Sequence, residues 1–184
     1  MDPKTALVVI DLQKGIVALP SVHPMAEIVQ RAASLATAFR RHGLPVLLVN
    51  VAGGAPGRTQ ASRPLGTPPP DWTELVPELQ PQPDDHRVTK LTWGAFHGTS
   101  LDKYLRDLGV TQIVLAGVAT SIGVESTARS AYEHGYNVVL AIDAMTDLDA
   151  EAHRNSIERI FPKLGETATT AEVLEMLEKA GSTA

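Results

Sequence analysis

Short apolar runs alternate along this chain with stretches in which apolar residues recur at helical spacing. Residues 6–10 (ALVVI) form a continuous, β-branched run that stops at Asp11, the pattern of a strand buried on both faces. From 25 to 42, Ile28, Ala32, Leu35, Ala36 and Phe39 fall on one helical face, and Gly43 stands where a helix would close. Residues 45–51 (PVLLVNV) predict a second strand, and 86–89 predict a short third one ending on Lys90. A helix follows over 101–108, with Thr99 or Ser100 as its N-cap and Gly109 as its stop. The clearest unit spans 113–144: an apolar run, Gly117, small and polar residues, a helix over about 122–134 closed by Gly135, and a second apolar run at 138–142. This is strand, turn, helix, strand, the unit that builds a parallel sheet. Beyond it the pattern predicts a helix over 150–161 capped near Asp147 or Asp149, an edge strand at 166–168 and a terminal helix from Thr170. The alternation argues an α/β chain with helices on both faces of a parallel sheet.

Residues 52–85 break the pattern, with eight prolines and four glycines and little periodicity apart from one turn of helix near 72–75. The sheet pattern resumes directly afterwards, so this segment reads as a lid or oligomer-contact loop within one domain of residues 1–184. A formal charge of −5 and the lack of any basic run argue against nucleic acid as a partner. The longest apolar runs are strand-sized, so neither a membrane span nor a leader is expected, and the cytoplasm is the default compartment. Zero cysteine excludes disulfides, thiolate chemistry and cysteine-based zinc sites.

Several residues could carry chemistry. Asp11 stands where a buried strand stops, as either a turn carboxylate or a functional one. Lys90 ends the third strand and, read alone, is a solvated lysine. The turn at 118–123 lies where parallel folds place their sites, beyond a strand's carboxyl end and at a helix start. Gly123 there reads as a small residue allowing close packing. Trp93 and Phe96 flank Lys90 as core or as pocket wall. His23, His42, His86, His97 and His134 form no i, i+4 pair, and no metal is expected. Arg58 and Arg63, in the proline-rich segment, are the guanidinium groups a dicarboxylate substrate would want.

Three segments resemble the isochorismatase-like hydrolases, a superfamily that includes cysteine amidases: ALVVIDLQKG, VTKLTWGAFHGTSLDKYL and GVATSIGVESTARSAYEHGYNVVLAIDA. The resemblance implies a three-layer α/β/α, Rossmann-like fold with about six parallel strands, Asp11 as the catalytic acid or base, and Lys90 as its partner. It places Gly123 in the slot that holds the nucleophilic cysteine in the amidases; true isochorismatases resemble this pattern with glycine there. It implies a cis peptide at Val118–Ala119, an anion-binding nest of backbone N–H groups over Val118, Ala119 and Thr120, and a pocket lined by Trp93 and Phe96. Asp143 and His153 fall on family-like positions and read as structural. Two departures stand out: Gly94 replaces the usual serine, and residues 50–54 offer none of the glutamine by which isochorismatases contact substrate. The expected activity is cofactor-independent hydrolysis of an enol ether such as isochorismate, by a homodimer or tetramer. The alternatives are a binding or assembly protein that has lost activity, and an amidase using activated water, Ser121 or Ser126.

Overall fold

A computed structural model describes residues 1–60 and 68–181. Six parallel strands form one sheet: β1 (Thr5–Ile10), β2 (Val46–Val51), β3 (His86–Lys90), β4 (Gln112–Val118), β5 (Asn137–Thr146) and β6 (Glu166–Ala168), in the order β3-β2-β1-β4-β5-β6. The apolar runs at β1, β2 and β4 are buried on both faces, because helices cover each side. Leu7 and Val9 of β1 pack with Ile28, Ala32, Leu35 and Phe39 of α2 (Met25–Arg41) and with Val173 and Leu177. Ala6, Val8 and Ile10 point the other way, into a layer holding Leu101, Leu105, Ala128, Ala131 and Phe161. Period-two alternation within a single apolar strand thus serves two cores. The helices of that second layer are α3 (Leu101–Asp107) and α4 (Glu125–Glu133), joined by Phe161 from the turns that follow α5 (Ala150–Asn155); a short α1 (Lys14–Val17) follows β1, and α6 (Thr170–Gly181) closes the chain.

The sheet builds outward from β1 in both directions, with β2 on one side and β4 on the other. That reversal opens a crevice beyond the carboxyl ends of β1 and β4. Strands β1 and β4 approach very closely there. Gly117, at φ +121°, pairs with Ile10, and a Cβ at this position would lie 2.0 Å from the Ile10 carbonyl oxygen. Only glycine fits that approach.

Several elements differ from the periodic reading. The helix expected over 150–161 is α5 followed by a wide π turn, Ser156–Ile160, and a tight 3₁₀ turn, Phe161–Lys163. Its cap is Asp149, which accepts from the Ala152 N–H at 2.8 Å. Asp147 turns elsewhere, as described below. Strand β5 runs ten residues, with a register irregularity against β4 between Leu115 and Gly117. Residues near 72–75 form a turn and an antiparallel bridge, Leu75 to Gln13, followed by a 3₁₀ turn at Pro77–Leu79. This stretch is a packed strap, because Gln13 holds it: the buried amide donates from Nε2 to the Val51 and Trp72 carbonyls at 3.0 Å each and accepts from the Val51 N–H at 2.7 Å. Among the described residues, no helix is long and apolar enough to cross a membrane.

Candidate active site

Asp11 follows β1 directly, with φ at +52°, and its N–H donates to the Val49 carbonyl at 2.9 Å. This bend turns the carboxyl group into the crevice. Lys90 enters from the end of β3, two strands away, and its Nζ donates to Asp11 Oδ2 at 2.7 Å and to the Thr92 carbonyl at 3.2 Å. Both side chains are almost sealed, Asp11 at 5% exposure and Lys90 at 2%. The second carboxyl oxygen, Asp11 Oδ1, is buried with no hydrogen-bond partner among the described residues. Burial pushes the Asp11 pKa up to about 6, against the opposing pull of the Lys90 charge and its hydrogen bond. Desolvation wins, so near neutral pH this carboxyl group is divided between its protonated and ionised forms.

The facing wall is the turn after β4. The Val118–Ala119 peptide is cis, and residues Thr120–Val124 make one wide π turn that runs into α4. Gly123 lies against the carboxylate: a Cβ there would be 3.3 Å from Asp11 Oδ2 and 3.0 Å from Ile10 Cγ2. The turn is held from behind. Thr120 Oγ1 pairs with His153 Nδ1 at 2.8 Å, and the Ser121 N–H donates to Asp147 Oδ2 at 2.7 Å. The N–H groups of Ile122 and Val124 both reach the Ala119 carbonyl at 3.1 Å. The amides of Ser121, Ile122 and Val124 are therefore engaged within the protein, and none of them belongs to the nest expected over Val118, Ala119 and Thr120.

A cavity of about 150 Å³ opens over the pair, lined by Ile16, Leu19, Val51, Thr92, Trp93, Val118, Ala119, Ile122 and Leu148 as well as Asp11, Lys90 and Gly123. Trp93 stands at its mouth, 62% exposed. Phe96 corrects the expectation: at 8% exposure it packs in the α3/α4 layer, its ring centroid 5.1 Å from His134 and 5.9 Å from Tyr136. The loop turns it inward because Ala95 N–H is anchored to Thr127 Oγ1 at 3.1 Å, which itself donates to the Gly123 carbonyl at 2.7 Å. Thr120 is likewise fully buried and supports the turn without lining the cavity. Gly94 costs nothing in space, since a Cβ there would make ordinary contacts with Ser126 at 3.4–3.5 Å. Arg58 is exposed and outside the lining, and Arg63 lies outside the described residues.

Asp143 and His153 hold structure, as read from the sequence. Asp143 Oδ1 accepts from the N–H and hydroxyl of Thr170 at 2.6 and 2.8 Å, fastening the start of α6. Sequence reasoning missed Gln13, Thr127 and Asp147. Gln13 follows Asp11 by two residues and is fully buried, but nothing in a lone glutamine announces a clamp.

The isochorismatase domain model matches residues 5–172. The chain belongs to the isochorismatase family. It is a hydrolase of that family, a membership that specifies no substrate. An uncharacterised isochorismatase family protein of Bacillus subtilis, YwoC, is 44% identical over 182 residues, covering 95% of each chain. The solved structure of an isochorismatase family protein from Burkholderia thailandensis is 46% identical, with a TM-score of 0.93 over 97% of both chains. A ureidoacrylate amidohydrolase, RutB of Pseudomonas savastanoi, is 30% identical over 86% of this chain and 78% of its own. This isochorismatase-family chain contains no cysteine.

Proposed function

We propose that this protein hydrolyses a small enol ether to a carbonyl compound and an alcohol, with Asp11 as the general acid and no covalent intermediate; isochorismate is the family's namesake instance. The observation that carries this reading is the buried Asp11–Lys90 pair lining a cavity whose opposite wall has no nucleophilic side chain at position 123. Since Oδ2 accepts from the Lys90 ammonium, the proton of the acid form resides on Oδ1.

In the reaction, the Asp11 carboxyl group gives its proton to the terminal carbon of the enol ether, and the electron pair of the double bond forms the new C–H bond. The resulting oxocarbenium ion lies beside a newly ionised carboxylate, which Lys90 stabilises. Water adds to the cation and returns a proton to Asp11. The hemiketal then breaks its C–O bond, releasing the alcohol and the carbonyl product. This sequence needs an acid with a raised pKa, and burial supplies it. A serine-based amidase is less well supported, because neither Ser121 nor Ser126 is among the residues lining the cavity. An inert scaffold is less well supported, because a buried carboxyl group with a raised pKa and a specific charge partner in a cleft is characteristic of functional sites.

The test is hydrolysis of ethyl vinyl ether in D₂O. Wild type should release acetaldehyde carrying one deuterium in its methyl group, and Asp11→Asn should release none above the solvent rate. Acetaldehyde formation undiminished in Asp11→Asn would sink the assignment.

A further inference from the structure

We infer that the alcohol half of the substrate is an apolar group of about ring size, carried on a rim formed by Leu19, Trp93 and Leu148, with Trp93 as the residue that selects it; this rests on the enol-ether reading above and deepens it. A cavity of about 150 Å³ takes a molecule of roughly benzene size. Asp11 is part of its lining, so the carbon that accepts the proton, its double-bond partner and the ether oxygen take up much of that space. A larger group on the ether oxygen therefore has to leave through the mouth.

Three segments far apart in the chain bring apolar side chains to that mouth: Leu19 from the turn after α1, Trp93 from the loop after β3 and Leu148 from the loop after β5. All three are exposed, Leu19 at 41%, Trp93 at 62% and Leu148 at 50%. Hydrogen bonds fix the backbone beneath each of them. The Leu19 N–H donates to the Ile16 carbonyl at 3.0 Å, and the Leu148 N–H donates to Oδ1 of the buried Asp147 at 2.8 Å. Trp93 is pinned on both sides, by Lys90 Nζ on the Thr92 carbonyl at 3.2 Å and by the Ala95 N–H on Thr127 Oγ1 at 3.1 Å. Exposed apolar residues scattered singly need no explanation, but convergence from three segments on one cavity marks a binding surface. Connectivity names its occupant: a group bonded to the ether oxygen of a substrate held at Asp11 passes between these side chains. Trp93 presents the largest apolar face of the three.

Vinyl ethers that differ only in the alcohol half test this. Ethyl vinyl ether is small enough for the cavity, whereas cyclohexyl vinyl ether must put its ring on the rim. Hydrolysis gives acetaldehyde from both, with ethanol or cyclohexanol as the second product. Tetrahydropyran-4-yl vinyl ether, of the same shape with an oxygen in the ring, is the polar comparison. Each kcat/KM is divided by the same compound's acid-catalysed rate in water, which removes intrinsic reactivity. The normalised preference for cyclohexyl over ethyl should be about 10-fold or more, the effect of taking about two methylene groups out of water, and the tetrahydropyranyl ether should fall below the cyclohexyl one. In Trp93→Ala the preference should shrink to about 3-fold or less. Being a ratio within one protein, it is insensitive to any shared loss of activity.

Binding is read separately with the saturated analogues, cyclohexyl ethyl ether and diethyl ether, through the amide chemical shift of Gly123 in both proteins. Tighter binding of the cyclohexyl analogue that is lost in Trp93→Ala, without turnover of any vinyl ether, would leave the apolar rim site standing and remove the acid-catalysed reaction. Equal or undetectable binding of the two analogues in wild type, or normalised turnover of the tetrahydropyranyl ether matching the cyclohexyl one, would overturn the inference. So would a cyclohexyl preference that persists in Trp93→Ala; a lower sedimentation coefficient of that variant would then assign Trp93 to a contact between copies of the chain.

Discussion

Asp11 is held in a left-handed backbone conformation that a non-glycine residue rarely adopts, and its side chain faces away from water. The acid form is the reactive one, so the pH dependence has a definite sign. With a pKa raised to about 6, kcat/KM should be highest below that value and fall tenfold per unit well above it. A profile that rises through the same range would mean that the ionised carboxylate is the active species. Lys90 lowers the Asp11 pKa by its charge and by its hydrogen bond, so removing it must raise that pKa further. In Lys90→Met the fall should move to higher pH while the plateau drops by about 10²-fold or more, because the carboxylate left after proton transfer has lost its cation. Parallel pH profiles of the two proteins check both signs together.

At the scale of elements, the site is a strand end, a turn and a helix start held in register by groups that lie outside the cavity lining. Thr127 of α4 ties the Gly123 carbonyl to the loop that follows Lys90, and Asp147 and His153 brace the turn from the side of β5 and α5. The close contact of β1 with β4 at Gly117 is what lets Asp11 and Gly123 face each other. Gly117→Ala should cost roughly 4 kcal/mol or more, since it combines a forbidden φ with a Cβ placed 2.0 Å from the Ile10 carbonyl oxygen. Urea unfolding measures this, and a loss below about 1 kcal/mol would mean that β1 and β4 can separate there without penalty. The strap at 71–79 works in the same manner: Trp72 lies flat on Gly15, where a Cβ would be 2.0 Å from its ring.

For the whole molecule, burying Asp11 makes stability depend on pH. Its folded-state pKa lies above the ordinary carboxyl value of 3.8, so the native state holds the proton more tightly than the unfolded chain. That contribution is fully present below about 3.8 and is lost as pH rises through about 6. The melting temperature of wild type relative to Asp11→Asn should therefore decline across this window and level off above it. A difference that grows across the same window would show that Lys90 outweighs desolvation.

The sequence by itself determined the alternation of strands and helices, because a parallel sheet covered on both faces needs apolar runs of strand length separated by amphipathic stretches, and both periods are written locally. It also marked Asp11, through a charge placed where a buried strand ends, while Gly123 stood out only through the resemblance of its segment to a known family. Two-sided burial hid other features from the pattern. Phe96 and Trp93 lie three residues apart in the same loop, yet one fills the core and the other stands at the cavity mouth, as Thr127 anchors the chain between them. The 52–85 segment looked irregular throughout, yet Gln13 fastens its later part against β2 by hydrogen bonds that span up to 59 positions. The polarity of the pocket, too, was decided only by tertiary structure. Which amides and cations remain available to a ligand depends on partners such as Asp147, Ala119 and Thr92, and such pairings follow from the path of the chain in space rather than from the identity of any one residue.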